Sequence, residues 1–145
     1  MPVPAAPSRP GGPPDMSMPL VEAAASGPAQ IRIGRCGACG HRYFPFQPLG
    51  CERCGAHGAT QSPILVPARG SVLAAVGVWK HRSPGIEAPF QVADVLLDAG
   101  VKVRALIDAD PCRPATLGTP VSGIVVQAGD TPVAPLRFTV VGERA

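Results

Sequence analysis

Cys36-Gly37-Ala38-Cys39-Gly40, followed by Cys51-Glu52-Arg53-Cys54-Gly55, decides how this chain is organised. Each Cys-x-x-Cys-Gly knuckle directs two thiolates at one ion, and two knuckles complete the tetrahedral sulfur site that zinc prefers. The glycine after each pair lets the chain turn tightly with its amides towards the sulfurs, which calls for φ > 0. Eleven residues lie between the knuckles, room for a short out-and-back excursion. Cys36, Cys39, Cys51 and Cys54 are therefore the expected metal ligands, with zinc as the expected metal. Iron is the chemical alternative, since four thiolates accept either, and would make a redox ribbon. A closed four-thiolate site leaves no position for water or substrate, so its expected task is to hold a fold together.

The stretch between the knuckles, His41-Arg42-Tyr43-Phe44-Pro45-Phe46-Gln47-Pro48-Leu49, reads as a strand, a proline-bent turn and a return. Tyr43, Phe44 and Phe46 are the apolar cover for the metal. His41 is a possible substitute ligand, but four cysteines are already in register; His57 reads as a solvated loop residue. Upstream, Ile31-Arg32-Ile33 leads as a strand into the first knuckle. Leu20–Ala25 reads as one or two helical turns ended by Ser26-Gly27-Pro28. Residues 1–19, with seven prolines, read as an extended leader. Thr60–Arg69, with Pro63 and Pro67 bracketing Ile64-Leu65-Val66, reads as a linker.

From Gly70 onward the apolar period is two. Strands are expected at Ser71–Lys80, Phe90–Leu97, Val101–Ile107, Pro120–Gln127 and Leu136–Val141. Val101, Val103, Ala105 and Ile107 share one face of the third, and Leu136, Phe138 and Val140 one face of the fifth. Asp98-Ala99-Gly100 suits a type I turn with a glycine bulge between the second and third. Five strands with a break after the third fit a small closed barrel of the OB type; other five-stranded barrels and a split sandwich fit the spacing as well. The expected fold is thus mainly β: a leader over residues 1–30, a rubredoxin-like four-cysteine zinc ribbon and linker over 31–69, and a five-stranded OB barrel over 70–145.

The 145 residues include 19 Pro, 17 Gly and only six aromatics, a composition that favours strands and turns over long helices. The formal charge is +3, but residues 70–145 carry seven basic and seven acidic groups. A neutral barrel argues against an electrostatic nucleic-acid trap. No segment approaches the ~20 apolar residues of a membrane span. The N-terminus lacks a basic cluster followed by an apolar core, and cysteines in metal spacing suit a reducing compartment, so a cytoplasmic location is expected. Cys112, between Pro111 and Arg113, reads as a loop thiol.

The order Cys36-x-x-Cys39-Gly40-x-x-x-Phe44-Pro45, Cys51-x-x-Cys54-Gly55 and Gly70-Ser71-Val72 resembles the zinc-ribbon/OB-fold family catalogued as domain of unknown function thirty-five. Ala88-Pro89-Phe90-Gln91-Val92-Ala93 resembles that family's second barrel strand, and Leu117-Gly118-Thr119-Pro120-Val121 its turn into the fourth. The resemblance covers roughly residues 31–141. It departs from the family in its Pro-rich leader and in Phe44-Pro45-Phe46-Gln47 where Phe-Pro-Pro-Arg is common, and no fused catalytic domain is expected.

The resemblance implies an accessory, non-catalytic subunit of a thiolase-like acyltransferase acting on acyl-CoA thioesters, packed beside the partner's active-site entrance. The partner would carry the nucleophilic cysteine, and this chain would help to bind coenzyme A. Trp79, Lys80 and Arg82, with His81 among them, are the contacts this implies for the coenzyme's adenine and phosphates. The plainer alternative makes Trp79 core or interface and the two cations a solvated strand end. Independent catalysis is not expected, because no Ser or Cys stands in a nucleophile elbow and no paired-carboxylate motif is present. The alternative from another class is a zinc-ribbon/OB protein that binds single-stranded nucleic acid.

Overall fold

The computed structural model describes residues 18–82, 85–126 and 136–142. Among them nine strands follow one another. The first four form the ribbon sheet: β1 (Val21–Glu22), β2 (Gln30–Cys36), β3 (Arg42–Tyr43) and β4 (Gln61–Pro67), the last entered through a 3-10 turn at Gly58–Thr60. The other five are β5 (Arg69–Val78), β6 (Phe90–Leu97), β7 (Lys102–Asp108), β8 (Pro120–Val125) and β9 (Leu136–Val140). They close a barrel in the order β5-β6-β7-β9-β8, with β7 and β9 parallel and the other pairs antiparallel. That connectivity is the OB barrel's, and it rules out the split sandwich.

The barrel forms because alternate residues of each strand are apolar and meet inside. Val72, Val95, Leu97, Val103, Val121 and Phe138 are all almost fully buried. At about 25 cal/mol per Å² of apolar surface, this layer supplies the barrel's main stabilisation. Val101, Val103 and Ile107 are buried on the expected face, with Ala105 half-buried beside them. The β6–β7 hairpin closes with Leu97 N–H donating to Val101 O (2.9 Å) and Gly100 N–H to Leu97 O (2.8 Å), Gly100 taking φ +84° as the turn requires. One irregularity escaped the pattern: the register of β5 shifts between Val72 and Ala74. This bulge places Ala74, Val76 and Val78 on the outer face.

Two expectations fail at the ribbon. Leu20–Ala25 is not helical: Val21 and Glu22 pair with Ile31 and Gln30 as β1. Arg32 reinforces this pairing: its Nε donates to Pro19 O (3.0 Å) and its guanidinium binds the Glu22 carboxylate, drawing the segment flat against β2. Thr60–Arg69 is not merely a linker. It contains β4, which pairs with β2 along all seven residues. Thr60 O accepts from Gly37 N–H and Ala68 N–H donates to Ala29 O, so residues 60, 62, 64, 66 and 68 turn their polar groups to β2. Pro63 and Pro67 fall in the other series and face the free edge, where a missing N–H costs no ladder bond.

Smaller differences concern strand ends. The first barrel strand stops at Val78 rather than Lys80, and the fourth at Val125; Gln127 lies outside the described residues, as do residues 1–17 of the leader. The ribbon and barrel share one core. Ala29, Ile31, Ile33, Val66 and Ala68 belong to the same buried cluster as the barrel's interior, with Phe44 packed against it. At the junction three backbone bonds form a ring: Ala29 N–H to Gly123 O (2.8 Å), Gly123 N–H to Ala68 O (2.6 Å) and Ala68 N–H to Ala29 O (2.7 Å). Gly123 is needed there for space, since a Cβ on it would lie 2.5 Å from that of Ala68.

Candidate metal centre

The two knuckles repeat one backbone pattern. Gly40 N–H donates to Cys36 O and Gly55 N–H to Cys51 O, both at 2.9 Å; Cys36 N–H donates to His41 O and Cys51 N–H to Ala56 O, both at 2.8 Å. Gly40 and Gly55 each take φ +76°, the left-handed turn expected of them. β2 delivers Cys36 at its end, and β3 returns against β2 with Tyr43 opposite Gly34, which brings the second knuckle to the first.

All four sulfurs lie within 4.8 Å of one another. Cys36 and Cys54 are 3.7 Å apart, Cys39 and Cys51 3.6 Å. A tetrahedron of zinc–sulfur bonds of about 2.3 Å has edges of about 3.8 Å, so the donor set fits a tetrahedral thiophilic ion. Disulfide bonding, at about 2.05 Å, is far shorter than either separation. Cys36 and Cys51 are buried and Cys39 and Cys54 exposed, as befits a site at the tip of a ribbon.

Electrostatics point the same way. The Cys39 amide N–H and then the Gln61 side chain outweigh burial and bring the Cys36 thiol down to about 6. At Cys54 the Ala56 N–H favours the thiolate, yet desolvation and the sulfurs of Cys39, Cys36 and Cys51 push the thiol up to about 11. One thiolate forms readily and its crowded neighbours resist following until a cation balances them.

Two side chains support the sulfurs: Gln61, which sequence reasoning missed, and Tyr43, expected there only as apolar cover. Gln61 Nε2 reaches Cys36 Sγ (3.4 Å) and donates to Ala56 O (2.9 Å), tying both knuckles together. The buried Tyr43 hydroxyl lies 2.9 Å from Gln61 Oε1 and 3.0 Å from Gln47 O. Burial first, then the nearby Cys36 and Cys51 sulfurs, raise the Tyr43 pKa above its ordinary value. Gln61 faces Cys36 across the β2–β4 ladder, so only recognition of β4 would have exposed its role.

His41 is not a ligand. Its Nε2 lies 2.8 Å from Glu52 Oε1 and its ring stacks on Tyr43 with centroids 6.2 Å apart. His57 is exposed, as expected. A cleft of about 420 Å³ separates the ribbon tip from the β6–β7 turn, bridged by Arg42 Nη1 donating to Ala99 O (3.3 Å).

The other candidate residues gather at the far end of β5. Trp79 is 58% exposed, and Lys80 and Arg82 are exposed beside it. The indole lies over Gly77, where a Cβ would sit 3.5 Å from Trp79 Nε1 and 2.4 Å from Pro111 O. Of the barrel aromatics only Phe138 is fully buried; Phe90 is half-buried with His81 packed edge-on against it at 5.3 Å. Cys112 is an exposed loop thiol whose amide donates to Asp110 Oδ1.

Fold and site together define the class: a four-cysteine ribbon built onto a closed OB barrel. No family model matches the chain, and no curated protein matches it. Among solved structures, a chain of the one described as the Ltp2-ChsH2(DUF35) aldolase superposes with a TM-score of 0.64. It is 22% identical, over 77% of this chain and 84% of that one. The resemblance to the domain of unknown function thirty-five is thereby borne out in the fold. Among the described residues, no helix is long and apolar enough to cross a membrane.

Proposed function

We propose that this chain is a member of the DUF35 family and the non-catalytic, zinc-binding subunit of a thiolase-type acyltransferase complex. In that role it supports acyl-CoA thioester chemistry, C–C bond cleavage or formation, carried out by a partner that holds the nucleophile. The observation that carries this is the junction of a closed four-sulfur ribbon with an OB barrel, in the fold of a chain from an aldolase assembly.

The chain's own groups are committed to structure. His41 is held by Glu52, His81 packs on Phe90, and the thiolates that sequence would offer as nucleophiles are gathered around one point. Zinc bound there would neutralise the sulfurs and lock the ribbon, leaving no coordination position for substrate. Coenzyme A at the subunit junction is the finer part of the proposal. Trp79 offers an exposed indole, and Lys80 and Arg82 are cations without an ion-pair partner among the described residues.

The alternative of single-stranded nucleic-acid binding draws less support from the outer face. There Arg104 and Lys102 are engaged by Asp94, and Arg137 by Asp108, so the cations a phosphate chain would need are already paired. The test is a thioester-cleavage assay of the purified chain, of a thiolase-type subunit, and of both together, with elemental analysis of the chain. Turnover only in the mixture, with one zinc per chain, is the expected result; turnover by the chain alone, or tight oligonucleotide binding at moderate salt, would overturn it.

A further inference from the structure

Gln61 is only 5% exposed, yet both ends of its amide have partners. Burying an amide costs free energy unless its hydrogen bonds are made, so a position that only needed filling would be served as well by an apolar side chain. What the amide faces fixes its orientation. Ala56 O can only accept, so the nitrogen end lies towards it at 2.9 Å, and the same nitrogen is 3.4 Å from Cys36 Sγ and 3.1 Å from Thr60 Oγ1. At the other end Oε1 lies 2.9 Å from the Tyr43 hydroxyl. The amide cannot turn over without setting its oxygen against the Ala56 carbonyl.

The backbone beneath it is held as firmly. Gln61 stands opposite Cys36 at the end of the β2–β4 ladder, its N–H closes the 3-10 turn on Gly58 O, and Thr60 O accepts from Gly37 N–H at 2.7 Å. Ala56 O also accepts from Cys51 N–H (2.8 Å), so one amide joins the Cys36 sulfur of the first knuckle to the carbonyl that turns Cys51 of the second. The four sulfurs differ in this respect. Cys51 Sγ is met by the backbone amide of Arg53 (3.4 Å), while among the described residues only Cys36 Sγ is met by a side-chain N–H. An N–H donated to a ligand sulfur draws charge from it and fixes its direction, and such outer partners are worth about 10–100-fold in metal affinity.

We infer that Gln61 is the positioning residue of the metal centre: its side-chain N–H keeps the Cys36 sulfur aimed at the ion and ties it to the second knuckle, while Tyr43 holds the amide in that orientation. The inference rests on the four-sulfur metal site of the proposed function and is independent of any partner subunit.

The test titrates zinc against a competing chelator in the full-length chain and its variants, and records the sulfur-to-metal charge-transfer bands of each in its cobalt(II)-loaded form. Gln61→Met keeps the length of the side chain and removes the amide. It is expected to weaken zinc binding about 10–100-fold and to move the charge-transfer bands to lower energy, because a sulfur without its N–H gives up electrons more readily. Tyr43→Phe keeps the donor and loses its anchor; it should cost about tenfold, with a smaller shift in the same direction. Ser62→Ala, exposed at the next position of β4, should change neither reading. Wild-type affinity in Gln61→Met overturns the inference. So does weakened affinity with unmoved bands, which would make Gln61 a filler of space. Should Gln61→Met fail to fold, Tyr43→Phe decides, and wild-type affinity and bands there overturn the inference. A wild-type chain that takes up neither zinc nor cobalt overturns the inference and the metal site together.

Discussion

The ribbon and the barrel are held by different forces, although both are antiparallel β-structure. The barrel closes on itself and buries a continuous layer of Val, Leu and Phe, so each strand is fixed by two neighbours and a core. The ribbon tip beyond β2 has strands as short as two residues, and its two knuckles meet at sulfurs rather than side-chain packing. A segment of this size buries too little apolar surface to order itself, so a metal held by the four sulfurs would take the place of a core. The ribbon's base obeys the barrel's rule: Ile31, Ile33 and Val66 are buried in the same cluster as Phe138. The boundary between the two regimes therefore runs through the ribbon, just beyond Ile33, and not between ribbon and barrel.

Substitutions that separate the regimes break or sharpen this contrast. The largest effect is expected for Cys36→Ser or Cys51→Ser. Structural zinc contributes on the order of 10–16 kcal/mol in zinc-finger peptides, so losing a ligand should release the metal and unfold the tip. Elemental analysis and hydrogen exchange should show protection lost around residues 36–56 but kept at Val95 and Val103; collapse of the barrel as well would erase the contrast. Phe138→Ala should cost about 3–5 kcal/mol and, in denaturant titrations, melt β2 and β4 together with the barrel. Gly123→Ala forces a Cβ into Ala68 at the junction and should cost about 1–3 kcal/mol, with any second transition in the unfolding curve marking a ribbon freed from its base.

Two subtler changes act on one side each. Tyr43→Phe removes the hydroxyl beside Gln61 and should cost about 1–2 kcal/mol, read as faster metal loss to a chelator with the barrel's melting unchanged. Asp94→Asn should cost only about 0.5 kcal/mol, since the pair is at the surface. The Arg104 hydrogen bond holds the Asp94 carboxyl below the ordinary carboxylate range. Its contribution is complete above the unfolded value of about 3.9 and is lost as pH falls through the folded value. The gap between wild type and Asp94→Asn should therefore close on acidification below about pH 4.

The barrel was legible because its strands obey period two, and the sulfur site because Cys-x-x-Cys-Gly is a local code. What stayed hidden depends on long-range pairing. Pro63 and Pro67 disguised β4 as a linker, although both face a free edge where proline is harmless. With β4 unseen, Gln61 had no visible connection to Cys36. Leu20–Ala25 suggested one or two helical turns, but its backbone pairing with β2, reinforced by the Arg32 side chain against Glu22 and Pro19, makes it a strand. Which residues of β5 face out, Val76 among them, is fixed only by the bulge after Val72.

The central claim is that the sulfur site is a scaffold and the chemistry belongs to a partner. It is tested most directly by stripping the metal from the assembled complex and following thioester cleavage and subunit association in the same samples. The account predicts that activity and association fall together, and that both return when zinc is restored. A complex that stays intact and active without its metal would contradict it.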